Sequence, residues 1–244
     1  MASSFAILSG VITVFLTVAL IEFQRHQRRV FAIPHRIHVN GTRGKSSVTR
    51  LIGAGLRAGG LRTVTKVTGT FPRLILGDGN DVPVHRKAAP TILEQLAIVD
   101  FALARDTEAL VIECMALDPR FQRITEEQMV HATLAVFTNV RLDHTDVMGR
   151  TIEEIGVSMA NTIPRNGRLL TAERDHVDML GRLSKAKGTE MVAIRPDDIT
   201  TDDMAGSDRH HLGAFGLAQS AEHVDMVAFR GQETAVAWNR IGHR

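Results

Sequence analysis

The sequence is poor in features that mark several classes of protein. It contains one cysteine, Cys114, so an intramolecular disulfide is excluded. Because Cys114 lies in the apolar run 109–114, we predict a buried core residue rather than a reactive thiol. The formal net charge of only +2 argues against a nucleic-acid-binding protein, and we expect no nucleic-acid partner. The remaining composition, with 44% hydrophobic and 23% charged residues, is typical of a globular domain.

The chain opens with an apolar segment. Residues 5–21 carry no charge, and Phe23 continues the apolar run beyond Glu22. This length is near the lower limit of the roughly 17–25 residues with which a helix crosses a bilayer. We therefore predict a single-pass membrane anchor over residues 1–24 and a basic linker over residues 25–34. A buried core helix is the alternative.

Basic residues follow this apolar segment, and none precedes it. The positive-inside rule then places the rest of the chain in the cytoplasm. A cleaved signal peptide would carry its positive charge before the apolar run and a small-residue cleavage site after it, which does not match this order. We therefore expect a protein of the cell membrane whose main domain is cytoplasmic. The basic residues are Arg25, Arg28 and Arg29, with His26 among them.

A glycine-rich loop lies between a predicted strand over residues 36–39 and a predicted helix that ends before Gly59. Its glycines allow a tight turn whose N–H groups face an anion, and the helix N-terminus adds its positive dipole end. Lys45 can reach the outer phosphates of a nucleotide, and the Ser46 hydroxyl can bind Mg²⁺. The predicted nucleotide-binding residues are Gly41, Thr42, Arg43, Gly44, Lys45, Ser46 and Ser47.

This loop is a shortened form of the usual phosphate-binding consensus. The full consensus has a glycine five residues before Gly44, where Val39 stands. The alternative interpretation is an ordinary glycine turn with a surface lysine. We favour the phosphate-binding interpretation because the flanking residues have the alternation of a strand on one side and the spacing of a helix on the other.

Further strands and helices follow in alternation along the chain. Such an order predicts an α/β fold with a mostly parallel sheet. A hairpin turn is predicted at residues 77–81, and Thr91 with Glu94 has the spacing of a capping box. The predicted strands are 61–68, 109–114, 132–140, 167–171 and 190–194, and the predicted helices are 91–105, 122–130 and 176–183. We also predict a hairpin over residues 224–238 and a solvated acidic loop at 197–203, for which a metal site is the alternative.

Polar residues at the ends of these strands are candidates for a metal site, because carboxyl ends of strands line the ligand crevice of such sheets. Glu113 interrupts an apolar run, and a buried carboxylate is costly unless it is paired or binds a metal. Its alternative is a strand-end glutamate that reaches solvent. Asp143 and His144 follow the strand 132–140, and the other histidines lack such a context. Thr68 and Thr70 are metal or phosphate candidates, with ordinary turn chemistry as the alternative.

Three motifs in order resemble the central ATP-binding domain of the Mur ligases and folylpolyglutamate synthases. They are the glycine loop 41–47, the strand with Glu113, and the segment 138–146, which reads Thr-Asn-Val-x-x-Asp-His-Thr-Asp. Within that superfamily the chain is similar to the membrane-associated ligase subunits of poly-γ-glutamate synthases, used in capsule synthesis, which also begin with an apolar anchor. The resemblance covers roughly residues 30–175 well, and it extends through residues 68–73 and 92–95.

The resemblance implies an ATP-dependent amide ligase with ATP and Mg²⁺ as cofactors. In this family ATP phosphorylates a carboxylate to an acyl phosphate, which an amine then attacks. Phosphate binding is implied for Gly44 and Lys45, and Mg²⁺ binding for Ser46, Glu113 and His144. We accordingly predict Lys45, Glu113 and His144 as catalytic residues. The implied partners are glutamate or a poly-γ-glutamate chain and further membrane subunits of a synthase.

Two departures from the family pattern leave alternatives open. Many Mur ligases carry a carbamylated lysine shortly after the Asp-His motif, and alignment on residues 151–155 puts Met159 at that position. Either this branch does without the lysine or the alignment is shifted. We assign residues 35–244 to the ATP-binding domain, which leaves little chain for the C-terminal domain of such ligases. The alternative functions are a membrane-anchored P-loop ATPase or kinase, and a non-catalytic nucleotide-binding subunit that supports a partner.

Overall fold

The structure is a computed structural model that describes residues 2–69, 71–84, 86 and 89–194. Its centre is one eight-stranded sheet with the strand order β4-β3-β2-β5-β1-β6-β7-β8. All pairings from β2 to β8 across the sheet are parallel, and the β3–β4 hairpin adds an antiparallel edge. The predicted α/β fold with a mostly parallel sheet is confirmed. The strands are β1 (His35–Asn40), β2 (Thr63–Val67), β3 (Arg73–Ile75), β4 (Asp81–Pro83), β5 (Ala109–Glu113), β6 (Leu134–Phe137), β7 (Arg168–Thr171) and β8 (Glu190–Ala193).

Helices cover both faces of the sheet, as a parallel sheet requires. On one face α2 packs Val48, Ile52 and Leu56 against the apolar side chains of β1 and β5. On the other face α3 packs against β2 and β5, while α5 and α6 pack against β6 and β7. The helices are α1 (Ala2–Phe31), α2 (Lys45–Ala58), α3 (Glu94–Leu103), α4 (Pro119–Ile124), α5 (Ile152–Met159) and α6 (Val177–Lys185). Helix α4 continues as a π-helix (Thr125–Val130), and a 3₁₀ turn (Ala160–Thr162) follows α5.

The N-terminal helix α1 is long and apolar enough to cross a membrane by length and composition, over Ser4–Phe31. Residues 25–31, assigned above to a linker, continue this helix. The chain there has no helix-breaking residue before Pro34, and it docks on the domain. Val30 and Ile33 are fully buried, and Arg29 Nη1 lies 3.0 Å from both carboxylate oxygens of Asp100. The apolar segment is therefore attached to the domain by a packed helix.

The capping box predicted at Thr91 and Glu94 is wrong. Helix α3 begins at Glu94, and no side chain caps it among the described residues. The Glu94 carboxylate instead pairs with Lys66 and Arg86, because two cations outcompete a backbone N–H for a carboxylate. A capping box is present at the start of α5, where Thr151 and Glu154 bond each other's backbone N–H groups.

Other local predictions have definite outcomes. The turn at residues 77–81 is confirmed, because Leu76 and Asn80 close the β3–β4 hairpin. Cys114 is buried, as predicted. The helix predicted over 122–130 is in part a π-helix. Thr70, the acidic loop at 197–203 and the hairpin over 224–238 lie outside the described residues.

Candidate active site

The glycine loop joins the end of β1 to the first residue of α2. Gly44 has a φ of 80°, a left-handed conformation that favours glycine, directly before Lys45. No side chain of the described residues caps α2, so the first N–H groups of this helix are available to an anion. Gly41 has a φ of 145°, and a Cβ there would lie 1.9 Å from Thr138 Oγ1. Both glycines are therefore required by the loop conformation.

The loop is held in place by the residues that follow β6. The Thr42 hydroxyl donates to Asn139 Oδ1 at 2.6 Å, and the Arg43 N–H donates to the same oxygen at 3.1 Å. The Thr138 hydroxyl donates to the Arg43 carbonyl at 2.6 Å. Two of the motifs found in the sequence thus form one hydrogen-bonded unit, and these bonds orient the loop.

Ser46 and Glu113 are brought together at the mouth of this loop. The Ser46 hydroxyl donates to the Glu113 carboxylate, whose two oxygens lie 2.9 and 3.0 Å from Ser46 Oγ. The backbone N–H of Thr68 donates to Glu113 Oε2 at 2.6 Å. Glu113 is only 3% exposed, so the alternative of a solvent-facing glutamate is excluded. Thr68 therefore contributes its backbone to this site.

Lys45 folds back over the loop. Its Nζ donates to the Gly41 carbonyl at 2.6 Å, and the side chain is partly buried. This contact holds the ammonium group against the glycine loop, and Lys45 is itself the first residue of α2. A phosphate bound there would meet backbone donors and a cation together.

His144 is not in contact with the Ser46–Glu113 pair within the described part of the chain. It has a φ of 47° and an exposed side chain, and its Nε2 lies 3.9 Å from Asp143 Oδ1. The Asp143 carboxylate is held by Arg43, whose Nε lies 3.1 Å from Oδ2. The structure thus tethers the segment of Asp143 and His144 to the glycine loop, and metal binding by His144 stays a prediction.

Comparison with known sequences shows the family to which this chain belongs. A sequence profile described as the Mur ligase middle domain matches residues 39–194, which contain the glycine loop, Glu113 and the segment 138–146. The chain belongs to the Mur ligase middle-domain family. The resemblance stated from the three motifs is thereby confirmed.

Two curated relatives resemble this chain over most of its length. The chain is 36% identical over 230 residues to the PGA synthase CapB of Bacillus subtilis (strain 168). This match covers 91% of this chain and 58% of that protein. The chain is also 37% identical over 235 residues to the capsule biosynthesis protein CapB of Bacillus anthracis. This match covers 93% of this chain and 50% of that protein. The chain therefore spans about half the length of the curated relatives it matches.

Solved structures show the same fold at low sequence identity. A bifunctional folylpolyglutamate synthase/dihydrofolate synthase from Yersinia pestis, complexed with AMPPNP and Mn ion, superposes with a TM-score of 0.68 at 16% identity, covering 88% of this chain and 59% of that chain. A structure of such a synthase with Mn, AMPPNP and L-glutamate bound gives a TM-score of 0.65 at 16% identity, with the same coverage of both chains. At this identity the likeness shows the fold alone.

The donor set of this Mur ligase domain fits a small divalent cation. Mg²⁺ prefers oxygen ligands, keeps several waters, and is bound in nucleotide sites through one or two protein oxygens plus phosphates. The Ser46 hydroxyl and the Glu113 carboxylate supply such oxygens side by side. No group of three or more His, Cys, Asp or Glu that could hold a metal occurs among the described residues. The Ser46–Glu113 pair therefore offers two such oxygens at one point of the site.

Met159, the position discussed above as a departure from the family pattern, lies in the core of the domain. Its side chain is fully buried, and it packs in the apolar cluster that contains Ile155 and Met179. The position is therefore part of the apolar core.

Two carboxylates near the site were missed by the sequence analysis. Glu173 is buried at the end of β7 and accepts the Val140 N–H at 2.7 Å and the Asp175 N–H at 2.9 Å, so it orders the segment that leads to Asp143. Its position two residues after the buried strand β7 is a signal that could have found it. The second is Glu94, whose partners come from distant parts of the chain.

Proposed function

We propose that this Mur ligase domain is the ATP-binding part of an ATP-dependent amide ligase that forms γ-glutamyl bonds for a poly-γ-glutamate capsule. The names of the two curated relatives, a PGA synthase and a capsule biosynthesis protein, support the product class. The observation that carries the proposal is the Ser46–Glu113 pair beside Lys45 and the uncapped start of α2. A polyphosphate bound here would meet the Lys45 ammonium group, the first N–H groups of α2 and a divalent cation held by the Ser46–Glu113 pair.

The proposed reaction has two group-transfer steps. A glutamyl carboxylate oxygen attacks the γ-phosphorus of ATP, and the bond to the bridging oxygen breaks, so that ADP leaves and an acyl phosphate forms. The amine of the next glutamate attacks the acyl carbon, the carbon–oxygen bond to phosphate breaks, and the amine loses a proton. Lys45 and the N–H groups of α2 would offset the charge on the transferred phosphoryl group.

Ser46 and Glu113 would hold the divalent cation, Mg²⁺ in this proposal. Two structural neighbours that contain an ATP analogue together with Mn ion support this choice of nucleotide and metal charge. When bound, the cation offsets negative charge on the phosphates. The additional assignments of Gly41, Thr42, Arg43 and Ser47 to nucleotide binding, and of His144 to the metal, belong to the same proposal.

We further propose that α1 anchors the protein in the cell membrane with the ligase domain on the cytoplasmic side. The helix carries no charge from Phe5 to Ile21 and its side chains there are exposed, while the arginines lie on the side of the domain. ATP is a cytoplasmic substrate, which agrees with this orientation. Glutamate or a poly-γ-glutamate chain would be the substrate, and other membrane subunits of a synthase would be the partners.

Hydroxylamine trapping tests the proposed chemistry. The full chain in detergent micelles, supplied with ATP, Mg²⁺ and oligo-γ-glutamate, is expected to form a hydroxamate, because hydroxylamine intercepts an acyl phosphate. The Lys45→Ala variant, which lacks the cation over the loop, is expected to lose the signal. Hydroxamate would be measured colorimetrically, and ATP binding by calorimetry.

The two measurements separate the alternatives. ATP binding without hydroxamate would contradict the ligase proposal for this chain and favour a nucleotide-binding subunit. ATP hydrolysis without any dependence on oligo-γ-glutamate would favour an ATPase. Absence of ATP binding would overturn the assignment of the glycine loop.

Replacing Gly41 by alanine is expected to weaken ATP binding by at least about tenfold, which corresponds to about 1.4 kcal/mol. The new Cβ would lie 1.9 Å from Thr138 Oγ1, and the φ of 145° is itself unfavourable for alanine. Because Thr138 also holds the Arg43 carbonyl, relief of the clash must distort the loop. Calorimetric titration with ATP measures the effect.

Gly60→Ala is the matched control for this substitution. Gly60 has a φ of 91°, yet a Cβ there would meet nothing within 4 Å, and the residue follows the far end of α2. It should cost about 1–2 kcal/mol of stability through backbone strain and leave ATP affinity unchanged. Equal loss of affinity in both variants would show that general destabilisation, not the Thr138 contact, explains the Gly41 result.

A further inference from the structure

Lys66 is a fully buried lysine in strand β2. Its Nζ lies 2.6 Å from Glu94 Oε1, 3.3 Å from Gln95 Oε1 and 3.5 Å from Met115 Sδ, so each of its three N–H groups has a partner. Burial lowers the pKa of Lys66, and the adjacent Glu94 carboxylate opposes that shift. Burying an ammonium group is costly, so a compensating role is expected.

Arg86 holds the other side of the same carboxylate. Its Nε lies 2.7 Å from Glu94 Oε2, and its Nη2 lies 3.3 Å from Oε1. The Lys66–Glu94–Arg86 cluster therefore contains two cations and one carboxylate, which leaves one positive charge in excess. In an isolated arginine–glutamate pair the charges would cancel. Here Lys66 neutralises Glu94, and the charge of the partly exposed Arg86 guanidinium remains available to a ligand.

The cluster lies at the same edge of the sheet as the glycine loop. Lys66 is the last but one residue of β2, and it pairs in register with Ile112, the residue before Glu113 in β5. Two residues after Lys66, the Thr68 N–H bonds the Glu113 carboxylate. Since ligands of parallel sheets bind at the carboxyl ends of the strands, the Lys66–Glu94–Arg86 cluster lies at the edge of the sheet where the reacting group would bind.

We propose that Arg86 binds a free carboxylate of the γ-glutamyl substrate, and that Glu94 and Lys66 are positioning residues for its guanidinium. This inference rests on the proposed function. Each residue of a γ-linked glutamate chain keeps its α-carboxylate, while the γ-carboxyl group is the one that reacts. A guanidinium whose orientation is fixed by two hydrogen bonds recognises a carboxylate in bidentate geometry and so places the γ-carboxyl group.

The test compares two substrates on the full chain in detergent micelles. One is an oligo-γ-glutamate, and the other is the same oligomer with its α-carboxylates replaced by amides. The wild-type chain is expected to bind the acid about 10–100-fold more tightly than the amide, since a hydrogen bond to a charged group is lost. Arg86→Gln should bind both equally and show a raised KM for the acid. Lys66→Met should show a smaller loss of the same discrimination, because it frees Glu94 to neutralise Arg86.

Arg73→Gln is the matched control. Arg73 makes a similar bond to a carboxylate, with its Nε 2.6 Å from Asp81 Oδ1, on the β3–β4 hairpin of the same sheet. It should keep the wild-type preference for the acid. The proposal is overturned if Arg86→Gln keeps that preference, or if Arg73→Gln loses it equally. Direct calorimetric binding decides this even without turnover, while absence of hydroxamate in the wild-type chain would count against the proposed function instead.

Discussion

Replacing Glu113 by glutamine is expected to reduce amide-forming turnover by about 100-fold or more. Glutamine keeps the size of the side chain and one carbonyl oxygen, so the Thr68 N–H retains an acceptor. The substitution removes the negative charge beside the Ser46 hydroxyl, and a neutral amide is a poor ligand for a hard divalent cation. The loss should therefore concern the metal more than the fold.

Titration of turnover with Mg²⁺ measures this effect. The metal concentration at half-maximal rate should rise in Glu113→Gln relative to the wild-type chain. Glu173→Gln is a matched comparison, because it neutralises another buried carboxylate that accepts backbone N–H groups at a strand end. Its metal dependence should equal that of the wild type. If Glu113→Gln lost activity at an unchanged metal midpoint, Glu113 would be a structural acceptor for Thr68 and not a metal ligand.

Features with local causes were predictable from the sequence. The glycine loop is marked by residues next to one another, since a strand pattern, two glycines and a helical pattern occur within 25 residues or so. Glu113 was found because one carboxylate in an apolar strand breaks a simple pattern. The structure confirms that Glu113 is buried and places Ser46 against it.

Features that depend on distant partners were not predictable. Glu94 has the spacing of a helix cap, but Lys66 and Arg86 claim its carboxylate in the folded chain. His38 has no motif around it, yet it is fully buried against Glu126, which lies 88 residues further along the chain. In both cases a long-range ion pair, which only the packed sheet and helices bring together, decides the environment of the residue.

Replacing Glu126 by glutamine is expected to lower the free energy of unfolding by about 3–5 kcal/mol at pH 6. His38 Nδ1 lies 2.8 Å from Glu126 Oε2, and the two side chains are 0% and 3% exposed. Removing the carboxylate leaves a buried imidazolium without its counter-charge, or forces it to lose its proton. Glutamine keeps an acceptor for the Ala132 N–H, which bonds Oε1 at 2.8 Å, so the effect isolates the charge.

The pH dependence identifies this ion pair. Burial alone would lower the pKa of His38, but interactions with Cys114 and Glu126 raise it from 6.5 to about 9. A group whose pKa is raised on folding contributes stability that is fully present below its unfolded pKa and is lost as the pH rises through its folded pKa. The stability difference between the wild type and Glu126→Gln should therefore be greatest below about pH 6.5 and shrink toward pH 9.

Urea denaturation of the full chain in detergent, repeated between pH 6 and pH 9.5, measures this difference. Glu127→Gln is the control, because Glu127 is the adjacent residue and pairs with Arg165 at 3.2 Å on the surface. An exposed pair of this kind contributes about 0–1 kcal/mol, and its loss should not follow the titration of an imidazole. A Glu126→Gln penalty that stayed constant across this range would mean that His38 is neutral in the folded protein. The contact between His38 of β1 and Glu126 would then be a hydrogen bond between a neutral imidazole and a carboxylate, and not an ion pair.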